Sequence, residues 1–166
     1  MPDASEPGLS FAHLIAYTSG EQHRWHGWFQ QHADLLRLPY AEAPLESVGA
    51  LVRHIGFVEA RYAAILEDRV PPASPTGPAE MPDVVFAELR ESRTALERAV
   101  AVERDPARTV RFTTLTAGER SASARKVIAH ALLHGIRHWA QLATVLRAHG
   151  HPTDWPHDFL LSDALA

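Results

Sequence analysis

The chain contains no cysteine among its 166 residues. That absence excludes disulfide bonds, metal sites built from thiolates and a cysteine nucleophile. The chain also has no apolar run near the ~20 residues that a membrane-spanning helix needs. Its acidic, polar start lacks the basic and apolar segments of a secretory leader. We therefore expect a cytoplasmic protein that does not associate with membranes.

Positive charge is in short supply as well. The 16 Lys and Arg residues are outnumbered by 20 Asp and Glu residues, for a formal net charge of −4. The basic residues are scattered among acidic ones, whereas a nucleic-acid-binding surface gathers them on one face. No phosphate-cradling glycine loop and no nucleophile elbow is present either. These absences argue against a nucleic-acid partner and against nucleotide or serine-hydrolase chemistry.

The periodicity of apolar residues predicts an all-α fold. Apolar side chains recur at steps of three and four in four stretches, each with helix-capping residues near its ends. We expect one domain over residues 1–166 built as a four-helix bundle, with a disordered segment at 1–8, a proline-rich loop at 71–82, a short extended piece at 108–115 and a short C-terminal extension that packs back. The predicted helices run from Ser10 to about His32, from Ser47 through Leu66, from about Asp83 to Val102, and from a cap at Thr116 or Ser121 to about His149.

Histidine is the residue in excess, with 11 copies, and three of them recur at steps of four on the last helix. Residues four apart lie on the same face of a helix, so two such imidazoles can bind one metal ion. At about 100° per residue, His134 and His138 fall at the margin of the apolar stripe. His130 lies nearer the polar side. Ligands must face inward, so His134 and His138 are the predicted pair.

A third ligand should come from a facing helix, and His54 on the second helix is the best candidate because it lies beside the apolar stripe. Three neutral imidazoles with an open position describe a catalytic type of zinc site. Nickel, iron and manganese are alternatives, since imidazole suits several metals. His54 as a hydrogen-bonded boundary residue remains open. A second site at His23 and His26 is less favoured than a solvated helix face.

Two motifs in this arrangement resemble the DinB-like family of helical proteins, which is unrelated to the DNA polymerase of similar name. The first is His54-Ile-Gly-Phe-Val-Glu59. The second, Leu133-His134-Gly-Ile-Arg137-His138-Trp-Ala-Gln141, corresponds to a family pattern Asn-His-x-x-His-His-Arg-Gly-Gln on the last long helix. Here Leu133 replaces the amide, Arg137 replaces the first of two adjacent histidines, and Trp-Ala replaces Arg-Gly.

The resemblance implies an up-down-down-up bundle, usually dimeric, with a metal held at the positions of His54, His134 and His138. Some relatives transfer low-molecular-weight thiols, such as bacillithiol, mycothiol or glutathione, to electrophilic small molecules. A metal-dependent thiol transferase, or a related hydrolase that uses a metal-activated water, is thus the leading hypothesis. A non-catalytic metal-binding module for stress response or dimerisation is the alternative. A structural bundle without metal would make the agreement of the three histidines accidental.

Two further polar residues are candidates at this site. Glu59 is predicted as a general base or as a partner that orients an imidazole. Its alternative is a surface carboxylate paired with Arg61 or Arg93. Gln141 lies one turn after His138 and can touch either a bound ligand or a neighbouring helix.

Overall fold

A computed structural model describes residues 8–40, 45–114 and 117–164. This part of the chain is mostly helical and has four α-helices, two short 3-10 helices and one two-stranded antiparallel sheet. None of its helices is long and apolar enough to cross a bilayer. The elements in chain order are α1 (Phe11–Gln31), a 3-10 helix (Ala33–Arg37), α2 (Val48–Leu66), α3 (Pro82–Val102), β1 (Thr109–Thr114), β2 (Gly118–Ser123), α4 (Ala124–Ala148) and a second 3-10 helix (Phe159–Leu161).

Local sequence signals account for most of the helix ends. The Ser10 and Ser47 side chains accept hydrogen bonds from backbone amides in the first turns of α1 and α2, as predicted for caps. Pro82 occupies the first turn of α3, where its missing N–H costs nothing. Gly150, with φ of +83°, follows the end of α4. These boundaries confirm the helix predictions to within one or two residues.

The start of α4 corrects the prediction. Ser123 caps this helix through a hydrogen bond from the Lys126 amide, whereas the predicted cap Ser121 lies in β2. The other predicted cap, Thr116, lies outside the described residues. Residues 118–123 pair with 109–114 because an extended segment needs a neighbour for its backbone groups. The fold is therefore four helices with a small hairpin, and the all-α prediction missed the second strand.

The four helices pack as a ring around a common core. Helix α2 contacts both α3 and α4, and α1 contacts the same two helices from the other side. One end of the core is aromatic and centres on Trp25, Phe29 and Trp139. The other end is aliphatic and includes Leu96 and Leu132. Because α2 lies between α3 and α4, its side chains are buried on most of its circumference.

Two glycines allow backbone to approach α2 closely. A Cβ atom on Gly49 would lie 1.8 Å from the carbonyl oxygen of Ala79, so the proline-rich connection packs directly on the first turn of α2. A Cβ atom on Gly56 would lie 3.1 Å from Leu89 Cδ1, which brings α3 close. Residues 71–81 are non-helical, as predicted for this segment.

The C-terminal extension packs back on α1. The Tyr17 hydroxyl donates to the backbone oxygen of His157 at 2.8 Å, and His157 Nδ1 lies 2.6 Å from Oε2 of the buried Glu21. The Trp155 ring packs edge-on against Trp25, with ring centroids 5.0 Å apart. These contacts hold the extension on the aromatic end of the core.

Candidate metal centre

The facing sides of α2 and α4 bring together the three histidines that the sequence singled out. His54, His134 and His138 each place one ring nitrogen so that all three nitrogens lie within 4.8 Å of one another. Within the described residues, this is the one group of three potential metal-binding side chains with such spacing. The three nitrogens meet because α2 and α4 pack against each other, and neither motif by itself specifies that packing.

The two histidines on α4 are the closer pair. The Nε2 atoms of His134 and His138 lie 3.1 Å apart, as the four-residue step on a helix predicts. The ring of His54 completes a triangle, with its centroid 5.1 Å from the centroid of each α4 imidazole. His138 is buried, whereas His54 and His134 are half-buried. The cluster thus lies at the edge of the core, within reach of solvent.

A hydrogen bond fixes the tautomer of His138. Its Nδ1 atom lies 2.6 Å from Oε1 of Gln141. An amide oxygen only accepts hydrogen bonds, so Nδ1 carries the hydrogen and donates it. The lone pair then lies on Nε2, the atom that faces His134. A hydrogen bond of this kind, from the nitrogen that does not face the site, orients ligating imidazoles in metal sites.

The environment of His134 keeps its ring neutral. Burial, together with the nearby His138 and His54, lowers the pKa of His134 to about 3. Its Nδ1 atom is buried and has no hydrogen-bond partner within the described residues. Three imidazole nitrogens that lie within 4.8 Å of one another form a donor set that suits a divalent transition metal, provided that the ligating nitrogens are deprotonated. The residues present therefore fit such an ion.

Two other histidine candidates, His130 and His26, lie outside the cluster, although the His130 ring centroid is 5.8 Å from that of His134. His130 is exposed, and its ring packs against Tyr62 with centroids 5.2 Å apart. His26 Nε2 lies 2.9 Å from the Asp83 carboxylate, and its ring stacks on Phe86 between α1 and α3. Neither of these two is part of the three-nitrogen cluster.

Glu59 is buried rather than on the surface, which corrects one of its alternatives. Arg93 on α3 donates to both of its carboxylate oxygens, with Nε 2.9 Å from Oε2. Burial raises the pKa of the Glu59 carboxyl above its ordinary value, and the Arg93 guanidinium opposes that rise. Arg93 was among the partners predicted, but no sequence pattern distinguished a surface pair from this buried one. Arg93 also donates to Thr18, so the ion pair links α1, α2 and α3.

Arg137 is the neighbour of the cluster whose role the sequence did not predict. Its Nη2 atom lies 3.5 Å from His138 Nε2, at the exposed edge of the three-histidine site. The only signal for it was a departure from the family pattern, where a histidine stands at this position.

Comparison with known families assigns the chain independently of this geometry. Residues 35–142 match the DinB superfamily. The match covers most of the chain and includes all three clustered histidines, Glu59 and Gln141, while the C-terminal extension lies beyond it. The chain belongs to the DinB superfamily, which confirms the resemblance. No curated protein matches it significantly.

Proposed function

We propose that His54, His134 and His138 hold a divalent cation, with zinc the first choice and nickel, iron or manganese as alternatives. The observation that carries this proposal is the convergence of three ring nitrogens within 4.8 Å of one another on two different helices. Membership of the DinB superfamily supports it. We further propose that the protein transfers a low-molecular-weight thiol to an electrophilic small molecule, or performs a related hydrolysis with water.

The chain's own residues have distinct roles in this proposal. A cation bound here would supply a Lewis acid that favours the deprotonated form of a thiol or of water. Gln141 holds the His138 ring so that Nε2 faces the site. Glu59 is engaged by Arg93 on both oxygens, so we assign it a positioning role. Its Oε1 atom lies 3.5 Å from where a Cβ on Gly135, the residue after His134, would stand.

We also propose the up-down-down-up arrangement of the four helices that the resemblance implied. This arrangement requires α2 and α3 to run parallel, and side-chain pairs between these two helices support that. Arg53 pairs with Glu88, and Glu67 further along α2 pairs with Arg98 further along α3. Partners that advance together along both helices indicate that these helices run in the same direction. A homodimer and a cytoplasmic location complete the proposal, and light scattering on the purified protein tests the dimer.

Metal analysis followed by a transfer assay tests the function. We expect close to one equivalent of metal per chain, and thiol transfer to a chloro-aromatic or epoxide acceptor in a screen of several thiols. His134→Ala, with the metal site removed, is the matched control and should show neither. Metal without transfer or hydrolysis of any acceptor would favour the alternative of a non-catalytic metal-binding module. Absence of metal in protein refolded with each candidate cation would reject both the metal-dependent enzyme and the non-catalytic metal-binding module.

A further inference from the structure

Arg137 lies where it can contact whatever enters the three-histidine site. It immediately precedes His138 on α4, and its Nη2 atom is 3.5 Å from His138 Nε2, the nitrogen that faces His134. The residue is exposed, as are its neighbours on the same side of α4, Leu133 and His130. The guanidinium therefore lies at the solvent-facing edge of the cluster and not in the core.

The charges around the cluster are unbalanced. Its three imidazoles contribute no negative charge, and the carboxylate of Glu59 is neutralised by Arg93. Within the described residues, no carboxylate lies within 4.0 Å of Arg137. A divalent cation at the cluster would add two positive charges to that of Arg137, which has no ion-paired carboxylate among the described residues. Such a surplus favours an anionic ligand from outside the protein.

We propose that Arg137 binds a carboxylate of the small-molecule thiol. It thereby selects thiols whose carboxylate lies only a few bonds from the sulfur. The planar guanidinium donates two parallel hydrogen bonds to a carboxylate, which gives both affinity and orientation. Because Nη2 lies so close to His138 Nε2, a thiol and a carboxylate two or three bonds apart can reach the cluster and Arg137 together. This inference rests on the proposed function, since it concerns the ligand of the same site.

The test compares one thiol with and without its charge. In cobalt-loaded protein, the thiol-dependent near-ultraviolet absorption reports binding without any need for turnover. We expect 3-mercaptopropionate to bind about tenfold more tightly than its methyl ester, as for a hydrogen bond to a charged group. In Arg137→Gln the two affinities should come within about twofold of each other, while Arg137→Lys should keep part of the preference because the charge remains without the planar fork.

The controls separate this inference from the function beneath it. Arg147→Gln, which removes another exposed arginine of α4, should leave the preference for the charged thiol unchanged. Arg137→Gln should bind cobalt at least as tightly as the unaltered protein, since a cation beside the site has been removed. Equal affinity of the unaltered protein for both thiols would overturn the role of Arg137 while leaving the metal site standing. Failure of the unaltered protein to bind cobalt would overturn both the metal site and the role of Arg137. Loss of cobalt binding in Arg137→Gln would show that Arg137 supports the structure of the site instead of binding the thiol.

Discussion

The Nδ1 atom of His138 lies 2.6 Å from Oε1 of Gln141, one turn further along α4. This hydrogen bond turns the other ring nitrogen toward His134, so it links a residue outside the cluster to the geometry inside it. Replacing Gln141 with Leu should weaken metal affinity by about 10- to 100-fold. Gln141→Glu, which keeps an acceptor, should retain most of the affinity. Competition with a chelator of known affinity measures both, and equal losses in the two variants would contradict the orienting role.

The ligand assignment predicts unequal effects among the histidines. His54→Ala, His134→Ala and His138→Ala each remove one of three ligands and should bind less than a tenth of the metal retained by the unaltered protein. His130→Ala, at an exposed ring outside the cluster, should retain the metal. Elemental analysis after dialysis reads out all four variants. An equal loss in all of them would show that the ligand set has been assigned wrongly.

The pKa of His134 predicts how the metal-free protein responds to acid. Its folded-state pKa is about 3, whereas the ordinary value is 6.5. Between these values the unfolded chain binds a proton that the folded chain does not, so the free energy of unfolding falls as pH drops from about 6.5. His134→Gln should remove part of this pH dependence. Urea denaturation at pH 7 and pH 5 measures it, with His151→Gln as the control at an exposed site, and identical pH profiles for all three proteins would contradict the prediction.

Replacing glutamate with glutamine should lower the free energy of unfolding by much more in the buried ion pair than in an exposed one. Glu59→Gln leaves the Arg93 charge buried without its counter-ion and should lower the free energy of unfolding by about 3–5 kcal/mol. Glu80→Gln breaks the exposed pair with Arg37 and should cost less than about 1 kcal/mol. Urea denaturation of both variants gives the comparison. Similar costs would mean that the Glu59–Arg93 pair is more solvated than its burial indicates.

Two glycines in helices predict effects of opposite sign. Gly49→Ala would place a methyl group on the carbonyl oxygen of Ala79 and should destabilise the protein by about 1–3 kcal/mol. Gly20→Ala meets no atom within 4 Å and should stabilise α1 by about 0.5–1 kcal/mol, because alanine loses less backbone entropy in a helix. Thermal unfolding of the two variants should therefore shift in opposite directions. A rise in melting temperature for Gly49→Ala would show that the proline-rich connection does not pack tightly on α2.

Much of the fold was predictable because helix signals are local. Caps such as Ser10 and Ser47, the proline at the start of α3 and the glycine after α4 act within one turn of the chain. The hairpin was not predictable in the same way. Residues 118–123 became a strand because β1 offered them backbone partners, and pairing between segments overrides the helix start that Ser121 suggested.

The sequence by itself determined which face of α4 carries His134 and His138, because a step of four residues has one meaning on a helix. It also ranked His54 above the other histidines through its place beside an apolar stripe. Only the tertiary structure decided that the three nitrogens meet, that Glu59 is buried against Arg93 and that Arg137 lies beside His138. Each of these depends on how helices far apart in the chain approach one another, and that approach is set by the packing of whole faces rather than by any single motif.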